Sequence, residues 1–528
     1  MITRTWLSRS ACALAMAASA TLLVNQKTRA QAPVAPEVLD ANLAVRTVVS
    51  GLDMPIAMAF LGANDLLVLE KDTGRIKRVV NGVVQGTVLD LGVNRNSERG
   101  LLGIALHPDF PGVPAVYLFW TCRSTSLPAN PFFPDEHTCL DSNMFAADTG
   151  EILQVPLLGN RVDRFRWNGT SLVYEYNLIT LRAFQNDGAP APPGQGDESQ
   201  PARGNHDGGV LRFGPDGKLY IFMGDNGRRG QLQNLPNGPG GPTRADDQFG
   251  GPEPDDAHLT GVILRLNEDG TAPFDNPFYA TGTTLGGEVG KNIQKIFAYG
   301  VRNGFGMAFD PKSGDLWEQE NGDDAFSELN RVLPGFNSGW VQIMGPPERI
   351  GQYKTIETTV VPNPPDPFAP TGYFGLQQLR WSPVNIANDA ATAMSRLFML
   401  PGAHYSAPEF SWKYEVAPGA IGFVSGSALG PQYDGDLFMA GARPFLEGGH
   451  LFHLNLTGNR RAIGVDDPRL NDRVADNLRK WEITESESLL FGRNFGVGTD
   501  MHQGPNGNLY VVSLSNGAVY EIFRRPRR

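Results

Sequence analysis

The sequence predicts an all-β fold, a six-bladed β-propeller with long inserted loops. Three observations predict it. First, one hairpin pattern recurs: an apolar stretch, a polar turn with Asp, Asn or Gly, then a short apolar strand. It occurs at 54–71 (MPIAMAFLGANDLLVLEK), 100–120, 208–225 (GGVLRFGPDGKLYIFMGD), 304–320, 422–441 and 496–514. A unit repeated this often, with further strand-like runs at 74–80 and 261–266 between copies, supplies about four strands per repeat, enough for a propeller blade. Second, the chain holds 62 Gly and 40 Pro, and only 19% of its residues are charged. That composition suits short strands and tight turns. Third, no long stretch carries the 3.6-residue periodicity of an amphipathic helix.

The turns justify the hairpins. Gly214-Pro215-Asp216-Gly217 and Gly504-Pro505-Asn506-Gly507 are nearly identical. Proline fixes φ at one turn position and glycine accepts a positive φ at another. Spacing between the hairpins is uneven, so loops are inserted unequally, at 121–204, 231–260 and 345–408. Long loops on a rigid scaffold are where function tends to sit.

Residues 1–30 read as a signal peptide. Arg4 and Arg9 precede an apolar run at 10–24, and Thr28-Arg29-Ala30 has small residues where a signal peptidase reads. The expected mature chain, 31–528, is a single propeller domain in the periplasm or secreted. The leader's apolar run is too short for a stable anchor, and no other stretch reads as a membrane span. A net charge of −11 argues against nucleic acid as a partner.

Four loops carry candidate chemistry. Asn205-His206-Asp207-Gly208-Gly209 leads into the third hairpin, where a histidine faces the channel as a general base or serves as a structural residue bonded to a loop carbonyl. Arg302 and Asn303 occupy the corresponding place before the fourth hairpin. A cation beside a base suits an anionic cofactor or a developing oxyanion; a surface salt bridge is the alternative. Glu98 precedes the second hairpin, where a carboxylate can bind a sugar hydroxyl or hold the base. The acidic turn Glu320-Asn321-Gly322-Asp323-Asp324, with Glu328 after it, offers the hard oxygens calcium needs, or is a solvated turn. Neither a G-x-S-x-G nucleophile elbow nor a dinucleotide-binding G-x-G-x-x-G after a strand is present.

These motifs, in order, resemble one family. The stretch 100–110 (GLLGIALHPDF), His206 to Gly209 with 214–220 and Gly224-Asp225, 264–266 with 275–278, and 300–303 with 328–330 and 335–340 resemble the soluble glucose/sorbosone dehydrogenases. The resemblance covers most of 45–525. It implies a six-bladed propeller using pyrroloquinoline quinone (PQQ) and calcium to oxidise a sugar, polyol or related alcohol or aldehyde, with electrons passed to an acceptor the sequence does not name. It makes His206 the base, with Arg302 and Glu98 beside it. Arg302 and Asn303 contact the quinone oxygens. The carbonyls of Gly322 and Asp323 hold the catalytic calcium, and Glu328 matches a position binding a second, structural one.

The chain also departs from that family. Ser425, Val497 and Thr499 stand where the glucose enzymes carry cations that neutralise the cofactor's carboxylates. Arg443 or Arg493 would have to replace them, and Arg443 is taken as the cofactor-binding candidate. Two other functions stay open: a non-catalytic propeller binding a glycan or protein, and a calcium-dependent, lactonase-like hydrolase.

Of the three cysteines, Cys12 lies in the leader, which leaves Cys122 and Cys139 to form one loop-closing disulfide in an oxidising compartment. The loop of about 18 residues stabilises the fold by roughly 3 kcal/mol in the chain-entropy model. Alkylation of the exported, denatured protein without reductant should label neither thiol; labelling of both would exclude the bridge.

Overall fold

The computed structural model describes residues 34–95, 97–122, 159–181, 183, 205–227, 259–359, 386–442 and 448–526. The expected leader, Cys139 and Arg443 lie outside the described residues. Residues 36–528 form one compact unit.

The all-β propeller arrangement expected from the sequence is present, and the described strands fall into six sheets. Each predicted hairpin forms an antiparallel pair. These are Pro55–Gly62 with Asp65–Glu70, Leu101–Leu106 with Ala115–Thr121, and Leu211–Phe213 with Leu219–Met223. The others are Gly306–Phe309 with Leu316–Glu320, Pro418–Phe423 with Leu437–Gly441, and Gly498–Gln503 with Leu509–Ser513. The first strand of each hairpin is innermost in its sheet. These six strands contact one another in a closed cycle, the last packing on the first. The N-terminal strand Leu43–Ser50 crosses to the C-terminal sheet and pairs with Ala518–Arg524.

The apolar core lies between successive sheets. Tyr117 and Phe119 of the second sheet pack with Leu264 and Tyr299 of the third in one continuous cluster. Trp317 and Trp412 of the fourth meet Met439 and Phe452 of the fifth in another. The large buried aromatics, among them Trp120, Trp317 and Trp412, contribute most area per residue to these faces. Short helices not foreseen from periodicity lie between strands, at Tyr279–Leu285, Gly287–Ile293, Ile350–Thr358 and Ala390–Ser395. None exceeds nine residues, too short to show a helical period. Cys122 is buried and disulfide-bonded.

Inner strands approach closely where glycine removes a side chain. A Cβ on Gly103 would lie 1.9 Å from the Gly209 carbonyl oxygen of the next sheet. Gly103→Ala must therefore push two backbones apart, an overpacking cost of about 3 kcal/mol. A lowered urea midpoint with unchanged m-value is expected; an unchanged midpoint would show that the ring yields there freely.

Candidate functional site

The loops that enter and leave the inner hairpins gather at one end of the ring around a cavity of about 290 Å³. Its wall includes Lys71, Glu98, Gly208, Arg212, Asn321, Val497, Thr499 and Asp500, with an apolar floor from Ile56, Leu102, Ile104 and Leu211. Of the residues predicted from sequence, Glu98 lines the cavity directly. Its Oε2 accepts from the His206 backbone N–H at 2.8 Å and from Asn303 Nδ2 at 3.2 Å. One carboxylate oxygen thus ties together the second, third and fourth hairpin entries.

His206 adopts a positive φ of 60°. A non-glycine residue holds that conformation only where its surroundings impose it. Gly224 makes the packing possible, because a Cβ there would lie 2.2 Å from the His206 carbonyl oxygen and 2.8 Å from that of Arg302. The His206 ring is buried, with Nδ1 2.6 Å from Asp225 Oδ1. Asp225 also accepts from Gly227 N at 2.7 Å and, through Oδ2, from Trp340 Nε1 at 2.8 Å. Burial works to raise its pKa. The charge and hydrogen bond of His206, with Arg302 and Trp340, outweigh that and hold it below the ordinary aspartate value. An ionised carboxylate can only accept, so Nδ1 carries a hydrogen and Nε2 is the ring position left to take up or release a proton.

Arg302 lies over the Trp340 ring at 5.3 Å. Its backbone N–H donates to Glu320 Oε1 at 2.5 Å, and Nη1 donates to the carbonyls of Asn321 at 3.0 Å and Gly322 at 2.9 Å. Burial alone would lower its pKa, but Asp323, Asp225, Glu357 and Glu98 raise it, so the cation is secure. Arg302 Nε and Asn303 Oδ1 are buried without a hydrogen-bond partner. A donor and an acceptor left over beside a cavity fit a ligand that presents both.

The predicted metal residues divide. The Gly322 carbonyl accepts from Arg302, and the Asp323 carbonyl accepts from Lys480 Nζ at 2.8 Å. Both are thus engaged by the chain's own cations. Glu328 stands apart, opposite Glu320 on the strand Ala325–Val332. It accepts from Gly345 N at 2.5 Å and Asn330 Nδ2 at 3.1 Å. Burial raises the pKa of Glu328 to about 7 and that of Glu318 to about 8, and pushes Glu320 well up. Glu318 Oε2 has no hydrogen-bond partner. Buried oxygens short of partners suit a hard cation, yet among the described residues no three His, Cys, Asp or Glu side chains have metal-ligating spacing.

The missing family cations are not restored by Arg493, which pairs with Glu37 at an outer sheet edge. Ser425 is bonded to Gln503 through its N–H at 3.1 Å and its hydroxyl at 3.0 Å. Lys71 and Arg212 are instead the basic residues of the cavity wall, each paired with an aspartate. Lys71 Nζ meets Asp72 at 2.7 Å and Arg212 meets Asp500 at 2.7 Å. Sequence reasoning missed both, and gave no role to Asp225. The signal for Lys71 and Asp225 was position: each sits just past the second strand of its hairpin, as Asn321 does.

Fold and site together define an all-β propeller whose hairpin loops surround a cavity lined by Glu98, with a histidine–carboxylate pair and a buried arginine tied to that wall. The family model of the glucose/sorbosone dehydrogenases matches residues 52–130 and 196–363 of the chain. It is 28% identical over 342 residues to quinoprotein glucose dehydrogenase B of Acinetobacter calcoaceticus, a match covering 62% of this chain and 59% of that protein. It is 34% identical over 137 residues to aldose sugar dehydrogenase YliI of Escherichia coli, covering 26% and 29%. The PQQ-bound aldose sugar dehydrogenase of Streptomyces coelicolor shares the fold at a TM-score of 0.51 and 21% identity, over 94% of this chain and all of that one. Among the described residues no helix is long and apolar enough to cross a membrane.

Asp207, beside the base, is buried, with Oδ2 unpartnered. Burial raises its pKa to about 7, against the opposing charge of Arg99 and the hydrogen bond from Asn160. A carboxyl raised on folding binds its proton more tightly when native, so stability falls as pH climbs from about 4 to 7. Asp207→Asn should remove that slope. Relative to wild type it should gain up to about 4 kcal/mol at pH 8 over its standing at pH 4, by the linkage of one pKa unit to 1.36 kcal/mol. Parallel pH profiles in urea would refute this assignment.

Proposed function

We infer that the chain is an exported PQQ-dependent dehydrogenase that oxidises a sugar, polyol or related alcohol or aldehyde. The carrying observation is the His206–Asp225 pair beside the cavity, next to the unpartnered donor of Arg302 and acceptor of Asn303. We infer six blades, one per sheet, a count supported by the cyclic contact of six inner strands. The leader pattern at 1–30 and the disulfide at Cys122 support export to the periplasm or beyond.

When bound, the quinone supplies a two-electron acceptor for the hydride leaving the substrate carbon. The protein's own part is proton handling, orientation and charge. His206 Nε2 takes the substrate hydroxyl proton, while Asp225 holds the ring's tautomer and stabilises the imidazolium formed. Glu98 accepts a second substrate hydroxyl and sets the spacing between base and Arg302. Arg302 and Asn303 would hold the quinone oxygens. Lys71 and Arg212, each shared with an aspartate, would be the cations available to the cofactor's carboxylates. The apolar floor excludes water from the reacting face. Glu328 and its neighbours are the position for a structural calcium. The electron acceptor is a separate partner.

The test is reconstitution with PQQ and calcium, followed by dye reduction across aldoses and polyols. His206→Ala should lower turnover by about 10²–10⁴-fold, the usual contribution of a positioned acid–base group, with cofactor affinity little changed. Arg302→Ala should weaken the cofactor as well as slow the reaction. Full activity in folded His206→Ala would overturn the base assignment; no cofactor binding and no turnover in wild type would overturn the dehydrogenase.

A further inference from the structure

The turn 321–324 is the place where the resemblance puts a catalytic calcium, on the carbonyls of Gly322 and Asp323. In this chain the turn already holds two fixed cations. Lys480 Nζ lies 2.8 Å from the Asp323 carbonyl oxygen and 2.6 Å from Asp324 Oδ1. Arg302 Nη1 lies 2.9 Å from the Gly322 carbonyl, and Nη2 lies 3.2 Å from Asp323 Oδ1. Two aspartates thus face two basic side chains, and the buried Glu357 carboxyl caps the turn by accepting from the Asp324 and Ala325 N–H groups.

Lys480 is delivered by a braced loop. Asn477 is fully buried and its Nδ2 donates to the carbonyls of Tyr414, Arg479 and Glu482 at 3.0, 3.2 and 2.9 Å. The Trp481 N–H donates to the Glu415 carbonyl at 2.8 Å, and the Glu415 N–H to that of Asp324 at 3.1 Å. The loop is therefore hydrogen-bonded back to the acidic turn itself. The Lys480 side chain is only 13% exposed and its ammonium sits 5.6 Å over the Trp481 ring. A residue held this way has lost its rotamer freedom on folding and needs no further ordering to keep its place.

We propose that Lys480 is a built-in replacement for the calcium ion at this turn, so that the chain carries a fixed monovalent cation where its relatives' site takes a divalent one. A dication seeking these carbonyl oxygens at calcium's 2.3–2.6 Å would sit against the ammonium and the guanidinium together. It would have to expel Lys480 and leave Asp324 without its partner. The proposal rests on the family resemblance for where calcium belongs, but not on turnover, so an inactive preparation leaves it intact.

The probe is terbium, a calcium mimic whose emission is excited by nearby tryptophan; Trp481 and Trp340 flank the turn. Wild type should show no terbium emission that depends on Trp481. Lys480→Ala and Lys480→Met should each gain a calcium-competed site, with emission at least about ten-fold above wild type, and Trp481→Phe in either background should abolish most of the gain. Lys480→Arg, which keeps a cation, should behave as wild type. Wild-type emission that Trp481→Phe removes would overturn the proposal without any Lys480 variant having to fold. So would folded Lys480 variants that gain no site.

Discussion

The pairing of Leu43–Ser50 with Ala518–Arg524 fixes everything else in this molecule. It completes the last sheet with a strand from the opposite end of the chain, so the ring cannot open without breaking a continuous backbone ladder. Each inner strand is then wedged between two others, and the loops at their ends are brought to common depth around one cavity. A site assembled from residues as far apart in sequence as Lys71 and Asp500 depends on that closure.

Within the site, Asp225 is the joint. It takes a hydrogen bond from the ring of His206 and another from Trp340, and the same indole carries Arg302 on its face. Base and cation are thus held at fixed separation by one carboxylate and one aromatic ring, both buried. Burying a carboxylate is costly unless it is fully hydrogen-bonded. Asp225 meets that condition with donors on both oxygens, and its lowered pKa reflects them.

The hairpins were legible because their turns repeat the same backbone chemistry, and because strand pairs separated by a short turn leave a local pattern. The functional loops were legible for the same reason: His206 and Arg302 precede inner strands at matching places. Charge pairing was not legible. Arg212 meets Asp500 across 288 residues and Lys480 meets Asp324 across 156. Nothing local in the sequence specifies such partners, so Arg493 was a candidate cavity cation although it sits at an outer edge, and Arg212 was missed. The short helices were hidden too, since one or two turns cannot establish a period.

Segments outside the six hairpins also cap the sheets. Phe336–Asn337 and His404–Tyr405 run in parallel beyond Ile296–Tyr299, Val474–Ala475 lies beyond Phe410–Tyr414, and Glu37–Val38 lies beyond Leu490–Arg493. Each covers the outermost strand of its sheet with a strand two residues long. An uncovered edge offers a row of unpaired amides and carbonyls on which another chain can add a strand. A two-residue strip leaves too little ladder to extend. Three of the sheets thereby end in a strip too short to template strand-by-strand association.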